Sequence, residues 1–139
     1  AVQYRGIENP WGNVREWVDG INFQGLASYI CTDPTKYADD TASNYTVSGV
    51  TLCPPGWIKG LGLSNKFPWA FLPDANGGSD TTYIPDYVYS ISDGWRLLHI
   101  GGNAYYGSNA GLFCFYADYT SSSNSNNLGA RLQFREVKA

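Results

Sequence analysis

Apolar and polar residues along this chain alternate over short stretches and do not recur at helical spacing. Across 128–135, Leu128, Ala130, Leu132 and Phe134 fall on one side, and Arg131, Gln133 and Arg135 on the other. A period of two is that of a strand with one buried face. Across 14–18, Val14, Glu16 and Val18 face one way and Arg15 and Trp17 the other. The run 94–100 (GWRLLHI) is apolar nearly throughout, as in a central strand. Strands are therefore predicted at 14–18, 27–32, 83–90, 94–100, 111–116 and 130–137. No window sustains an apolar stripe at i, i+3, i+4, i+7 over four turns. Sixteen glycines and seven prolines punctuate the chain, and the stretches between them are rich in Tyr, Thr, Ser and Asn. Those residues make poor helix interiors.

Residues 53–78 (CPPGWIKGLGLSNKFPWAFLPDANGG) carry three proline-marked turns. This segment is expected to be a long ordered loop, pinned by Trp57, Phe67, Trp69 and Phe71. No internal repeat and no linker is visible.

Composition narrows the picture. A length of 139 residues suits one domain, and 43% apolar content suffices for a core. Charged residues make up only 15%, the net charge is −3 and no basic run occurs, which argues against nucleic acid as a partner. No apolar stretch approaches 18 residues, so no membrane insertion is expected. The start AVQYRGIENP has no leader pattern and the chain has no Met. We therefore expect a single domain over 1–139 that forms the C-terminal module of a longer protein. Three cysteines (Cys31, Cys53, Cys114) are too few for a disulfide framework. They read as small buried thiols, with a single bridge left open. With no CxxC and one histidine, His99, no zinc site is expected.

The most distinctive stretch is 103–127, NAYYGSNAGLFCFYADYTSSSNSNN. Four tyrosines sit among Asn, Ser, Gly and Ala, and the only formal charge is Asp118. Tyrosine offers a large, stiff, amphipathic contact, and Ser, Asn and Gly adapt around it; this is the vocabulary of a binding surface. The stretch lies between Gly101-Gly102 and the run 128–132.

Two motifs bracket nearly the whole chain. The early one, Glu8-Asn9-Pro10-Trp11-Gly12-Asn13-Val14-Arg15-Glu16-Trp17-Val18, resembles the GNVWEW signature of the formylglycine-generating, sulfatase-modifying type of C-type-lectin-like fold. The late one, Gly101-Gly102-Asn103 followed by Asn127-Leu128-Gly129-Ala130-Arg131-Leu132, resembles that fold's GGSW…NIGFRL ending. The segment between resembles the variable region of phage and bacterial proteins diversified by retroelements. In that family adenines are randomised, usually in Asn codons. The outcomes include Tyr, Ser, Asp, Gly, Ala and Thr but not Lys, Glu, Gln, Met or Trp. None of those five occurs in 103–127.

The resemblance implies an α+β, C-type-lectin-like fold: a small, twisted, mainly antiparallel sheet with long ordered loops and few helices. It implies a variable region at about 99–134 and ligand-binding positions at Tyr105, Tyr106, Tyr116, Asp118 and Tyr119, with Asn103, Ser108 and Asn109 as weaker members. These side chains are expected on one exposed face, with Leu112 feeding the core. The implied function is receptor binding, as host adhesion at a phage tail fibre tip or as display on a bacterial cell surface. The implied partner is a cell-surface protein or glycan, with a trimer as the assembled state and no cofactor.

Two alternatives stand beside this. Formylglycine-generating enzymes use a cysteine pair after the Gly-Gly step. Here Tyr106 and Gly111 occupy the corresponding stretch, Cys114 has no partner in the loop, and no cation but His99 lies within fifteen positions of it. An activated thiol needs such a neighbour, so no catalytic residue is expected. The other alternative is a purely structural virion domain. Asp39-Asp40 with Asp33 could supply oxygen ligands to calcium, but reads more simply as a solvated loop. Asn44-Tyr45-Thr46 matches a glycosylation sequon, relevant only in a eukaryotic secreted protein. Arg131 is expected to tie loop carbonyls to the sheet, with Glu16 as a semi-buried acceptor and Trp17 in the core.

Overall fold

A computed structural model describes residues 3–131. The strands are β1 (Gln3–Tyr4), β2 (Ile7–Glu8), β3 (Arg15–Gln24), β4 (Ala27–Ile30), β5 (Thr46–Thr51), β6 (Gly56–Leu63), β7 (Phe71–Asn76), β8 (Tyr87–Ser90), β9 (Trp95–Ile100), β10 (Phe115–Tyr119) and β11 (Leu128–Gly129). β1 and β2 form a small hairpin. The others form one sheet in the order β5-β4-β3-β9-β10-β8-β6-β7, with β11 added alongside β3.

The expected α+β, C-type-lectin-like class is corrected by this architecture. Among the described residues the molecule is nearly all β, with 42% in strands and 5% in helix. Among the described residues, helix is confined to single 3₁₀ turns at Pro34–Lys36 and Gly107–Asn109. The sheet curls into a nearly closed barrel. Its two end strands meet along a seam. There the Cys53 N–H donates to the Pro73 carbonyl at 3.0 Å, and the Ser64 hydroxyl donates to the Ser48 carbonyl at 2.6 Å. Most pairs are antiparallel; β10–β8 and β11–β3 are parallel.

The predicted segments 14–18, 27–32, 83–90, 94–100 and 111–116 each contain or adjoin a strand, whereas 130–137 lies mostly outside the described residues. The expected loop at 53–78 is instead the β6–β7 hairpin, which pairs Leu63 with Phe71 and Leu61 with Pro73. Two of its expected pins face solvent: Trp69 is 64% exposed and Phe71 53%. Phe67 packs against the core and Trp57 meets Tyr87 edge-on.

The core lies inside the curl. Phe23, Ile30, Leu52, Ile58, Leu72, Val88, Leu98 and Phe115 meet there, and each aliphatic or aromatic side chain so buried contributes roughly 1.5–3 kcal/mol. Alternation along β9 and β10 sends Leu98, Ile100, Phe115 and Ala117 inward. It therefore sends His99 and Tyr116 to the outer face, and a register shift between Tyr116 and Tyr119 brings the Tyr119 ring against His99. Leu112 does not feed the core: it is 45% exposed, in the turn that precedes β10. The three cysteines are free and buried.

Candidate ligand-binding surface

The outer face of the sheet is not bare. The segment after β9 folds back over it, setting the Tyr106 ring against Tyr89 and Tyr116, and the enclosed layer is aromatic and polar. Cross-strand register assembles its floor. Trp17 of β3 lies opposite His99 of β9, His99 opposite Tyr116 of β10, and Tyr116 opposite Tyr89 of β8. The Tyr89 and Tyr116 rings stack at 4.7 Å with 2° between their planes. Tyr87 continues the row at 4.5 Å from Tyr89.

Arg15 sits at the centre, 1% exposed. Its guanidinium carbon lies 4.4 Å from the Tyr119 ring centroid, 4.9 Å from Tyr116 and 5.9 Å from Tyr106. Three electron-rich ring faces thus surround one permanent cation. The charge also sets its neighbours' ionisation. Burial, then Arg15, pulls the His99 pKa down to about 3, so the imidazole is neutral at pH 7. Burial raises the Asp118 pKa, while Arg15 and then Arg96 oppose the rise. Burial pushes the Tyr116 hydroxyl far above the usual phenol range.

The eight expected ligand-binding residues occupy three levels. Tyr105, 78% exposed, and Ser108 reach solvent. Tyr106, Asn109, Asp118 and Tyr119 are half-buried. Tyr116 and Asn103 are buried, at 0% and 1%. The expectation of one exposed face is therefore corrected for Tyr116 and Asn103. The strand alternation does turn Tyr116 outward from the core, but the covering segment closes over it. Asn109 is one of the clamps, donating from Nδ2 to the Tyr89 hydroxyl at 3.2 Å. Its carbonyl also accepts from the Cys114 thiol at 2.8 Å. Burial raises the Cys114 pKa, the opposite of thiol activation.

The backbone that carries this cover is fixed by the Gly-Gly step. Gly102 adopts φ +67°, and a Cβ there would lie 2.6 Å from Ala110 Cα, so only glycine fits. Asn103 Oδ1 then accepts the Tyr105 N–H at 3.0 Å. At the far end, Arg131 donates to the Glu8 and Asn9 carbonyls, each at 2.8 Å, and pairs with Glu16. This is the tie expected from the sequence, with Glu16 as its semi-buried acceptor. Trp17 is not in the core; it is half-buried on the outer face, with its ring 3.8 Å from His99.

Two clefts flank the layer. The larger, about 810 Å³, runs between Trp17 and Asn22 of β3, Tyr37, Asp39 and Tyr45 of the loop between β4 and β5, and Ser121. Sequence reasoning missed it, because only the fold brings those three segments together. Burial, then the Asp19 and Asp40 carboxylates, raises the Asp39 pKa. The aspartates weighed as calcium ligands have other partners. Asp33 caps the first 3₁₀ turn through Thr35 and pairs with Lys36 at 3.3 Å, and Asp40 accepts from Ser121. Among the described residues no group of three His, Cys, Asp or Glu is placed to hold a metal ion. The second cleft, about 520 Å³, lies between residues 9–13 and 103–110.

Among the described residues no helix is long and apolar enough to cross a membrane. Comparisons of the chain with protein-family models, with curated proteins and with solved structures found no match.

Proposed function

We propose that this domain is a ligand-recognition module whose 103–127 surface is diversified by a retroelement. Its place would be a phage tail fibre tip or a bacterial cell surface, and its target a cell-surface protein or glycan. One observation carries the reading. Tyr105 and Ser108 reach solvent, and beside them the half-buried Tyr106 and Tyr119 rings rest on a floor drawn from other strands. Arg15 and Tyr89 supply that floor from β3 and β8. Exchange at the outer positions then alters what a ligand meets without touching the barrel core. The composition of 103–127, free of Lys, Glu, Gln, Met and Trp, supports the same reading. A few aromatic anchors with adaptable polar neighbours are an economical recognition surface. Presentation as a trimer would multiply a weak single-site affinity.

Sequencing the encoding locus tests the proposal. The expected finding is a reverse-transcriptase gene and a near-copy of the 103–127 coding repeat that differs at adenines. Isolates identical across 103–127 but divergent elsewhere would overturn it.

A further inference from the structure

The two sequence motifs meet in space. The Gly12 N–H donates to the Gly101 carbonyl at 2.7 Å, and the Ala104 N–H to the Asn13 carbonyl at 3.3 Å. Between these ties lies the 520 Å³ cleft, within the roughly 300–1,000 Å³ range of small-molecule sites. Its walls include Trp11 and the three carboxamides of Asn9, Asn13 and Asn103, and among the described residues no ionisable side chain lines it.

Asn103 is the informative member. It is 1% exposed, yet its Nδ2 has no hydrogen-bond partner among the described residues. The Tyr105 N–H fixes its orientation by binding Oδ1, which leaves the two amide hydrogens, shut off from solvent, without a partner. A buried amide left in that state costs about 1–3 kcal/mol. Asn9 and Asn13 add two further carboxamides to the lining. Asn9 is held in place by its backbone, at φ +47° and with its carbonyl on Arg131.

We propose that this cleft binds a neutral saccharide unit. The Trp11 indole supplies a flat apolar face for the C–H side of a sugar ring. The carboxamides supply paired donors and acceptors for its hydroxyls. An ionic ligand would find no counter-charge in the lining and would be desolvated without compensation. This inference rests on the recognition reading and names its ligand class: a sugar subsite beside Tyr105, the most exposed tyrosine of the loop.

The test is titration of the ¹⁵N-labelled full chain with methyl glycosides of glucose, galactose, mannose and N-acetylglucosamine. Glucuronate and N-acetylalanine amide serve as the charged and peptide controls. At least one neutral glycoside is expected to shift the Asn103 side-chain NH₂ signals saturably and to quench Trp11 fluorescence. Asn13→Ala, at an exposed side chain, should weaken that binding roughly 2- to 10-fold with unchanged thermal stability. The inference is overturned if no neutral glycoside moves the Asn103 signals, or if either control binds more tightly. The two readings fail separately. If Tyr105→Ser changes capture of target cells while the glycosides leave the cleft silent, only the sugar subsite falls. If a glycoside occupies the cleft while randomising the exposed loop positions never alters capture, only the diversified-loop reading falls.

Discussion

Tyr116 and Tyr89 stack face to face, 4.7 Å apart and within 2° of parallel, on two adjacent parallel strands. Only one of them belongs to the segment that reads as variable, and that one is fully buried. The loop thus contains both surface positions and a structural keystone. Tyr116→Ala should destabilise the fold by about 3–5 kcal/mol, the cost of emptying a buried aromatic site. Tyr105→Ala should stay within about 0.5 kcal/mol. Urea denaturation of the two variants separates them; equal effects would refute the layered arrangement.

His99 gives the fold a pH dependence of definite sign. Its pKa is about 3 in the folded state and about 6.5 when unfolded. The unfolded chain therefore binds a proton that the native state refuses, and stability falls as pH drops below about 6.5. Between pH 6.5 and 5 the loss should be about 2 kcal/mol. Asp118 acts with the opposite sign, since its raised pKa lets the native state take up a proton more readily, but only in the carboxylate range. Denaturant midpoints of wild type and His99→Gln at pH 7.5 and 5 check this. The wild-type slope should flatten in the variant.

Cys114 should resist alkylation in the native state. It is buried, with its pKa raised by burial and its thiol engaged by the Asn109 and Tyr87 carbonyls. Iodoacetamide labelling should follow the fraction unfolded in urea. Rapid labelling of the folded protein at this cysteine would contradict the burial.

Much of this was legible in the sequence, and the misses have physical causes. The 14–18 alternation correctly put Arg15 and Trp17 on one face. It did not reveal that β3 continues to Gln24, because Gly20, at φ +83°, interrupts the pattern where the register shifts between Val18 and Asn22. The β6–β7 hairpin was hidden by Gly60, Gly62 and Pro73, which local propensity assigns to turns. A Cβ at Gly62 would press on the side chains of Asp74 and Val50, the latter at 2.9 Å. In β5, the buried Ser48 stands where an apolar residue would have signalled a strand. For the site, sequence could not say which tyrosines of 103–127 are covered. That depends on where the chain returns over the sheet, a tertiary fact with no local signature.

Arg131→Ala should cost about 1 kcal/mol, since its side chain is 41% exposed and its ion pair with Glu16 is partly solvated. The larger effect should be local. Amide exchange at Gly12 and Arg15, which bond to Gly101 and Asn127, should accelerate while exchange in the barrel core does not.

That arginine also decides how the molecule would carry a mechanical load. It clasps Glu8, Asn9 and Glu16, so tension entering near residue 8 and leaving at residue 131 passes through the clasp and the short β11–β3 pair, bypassing the barrel. Pulled from those points, the domain would yield first at its latch, with the aromatic layer around Arg15 still intact.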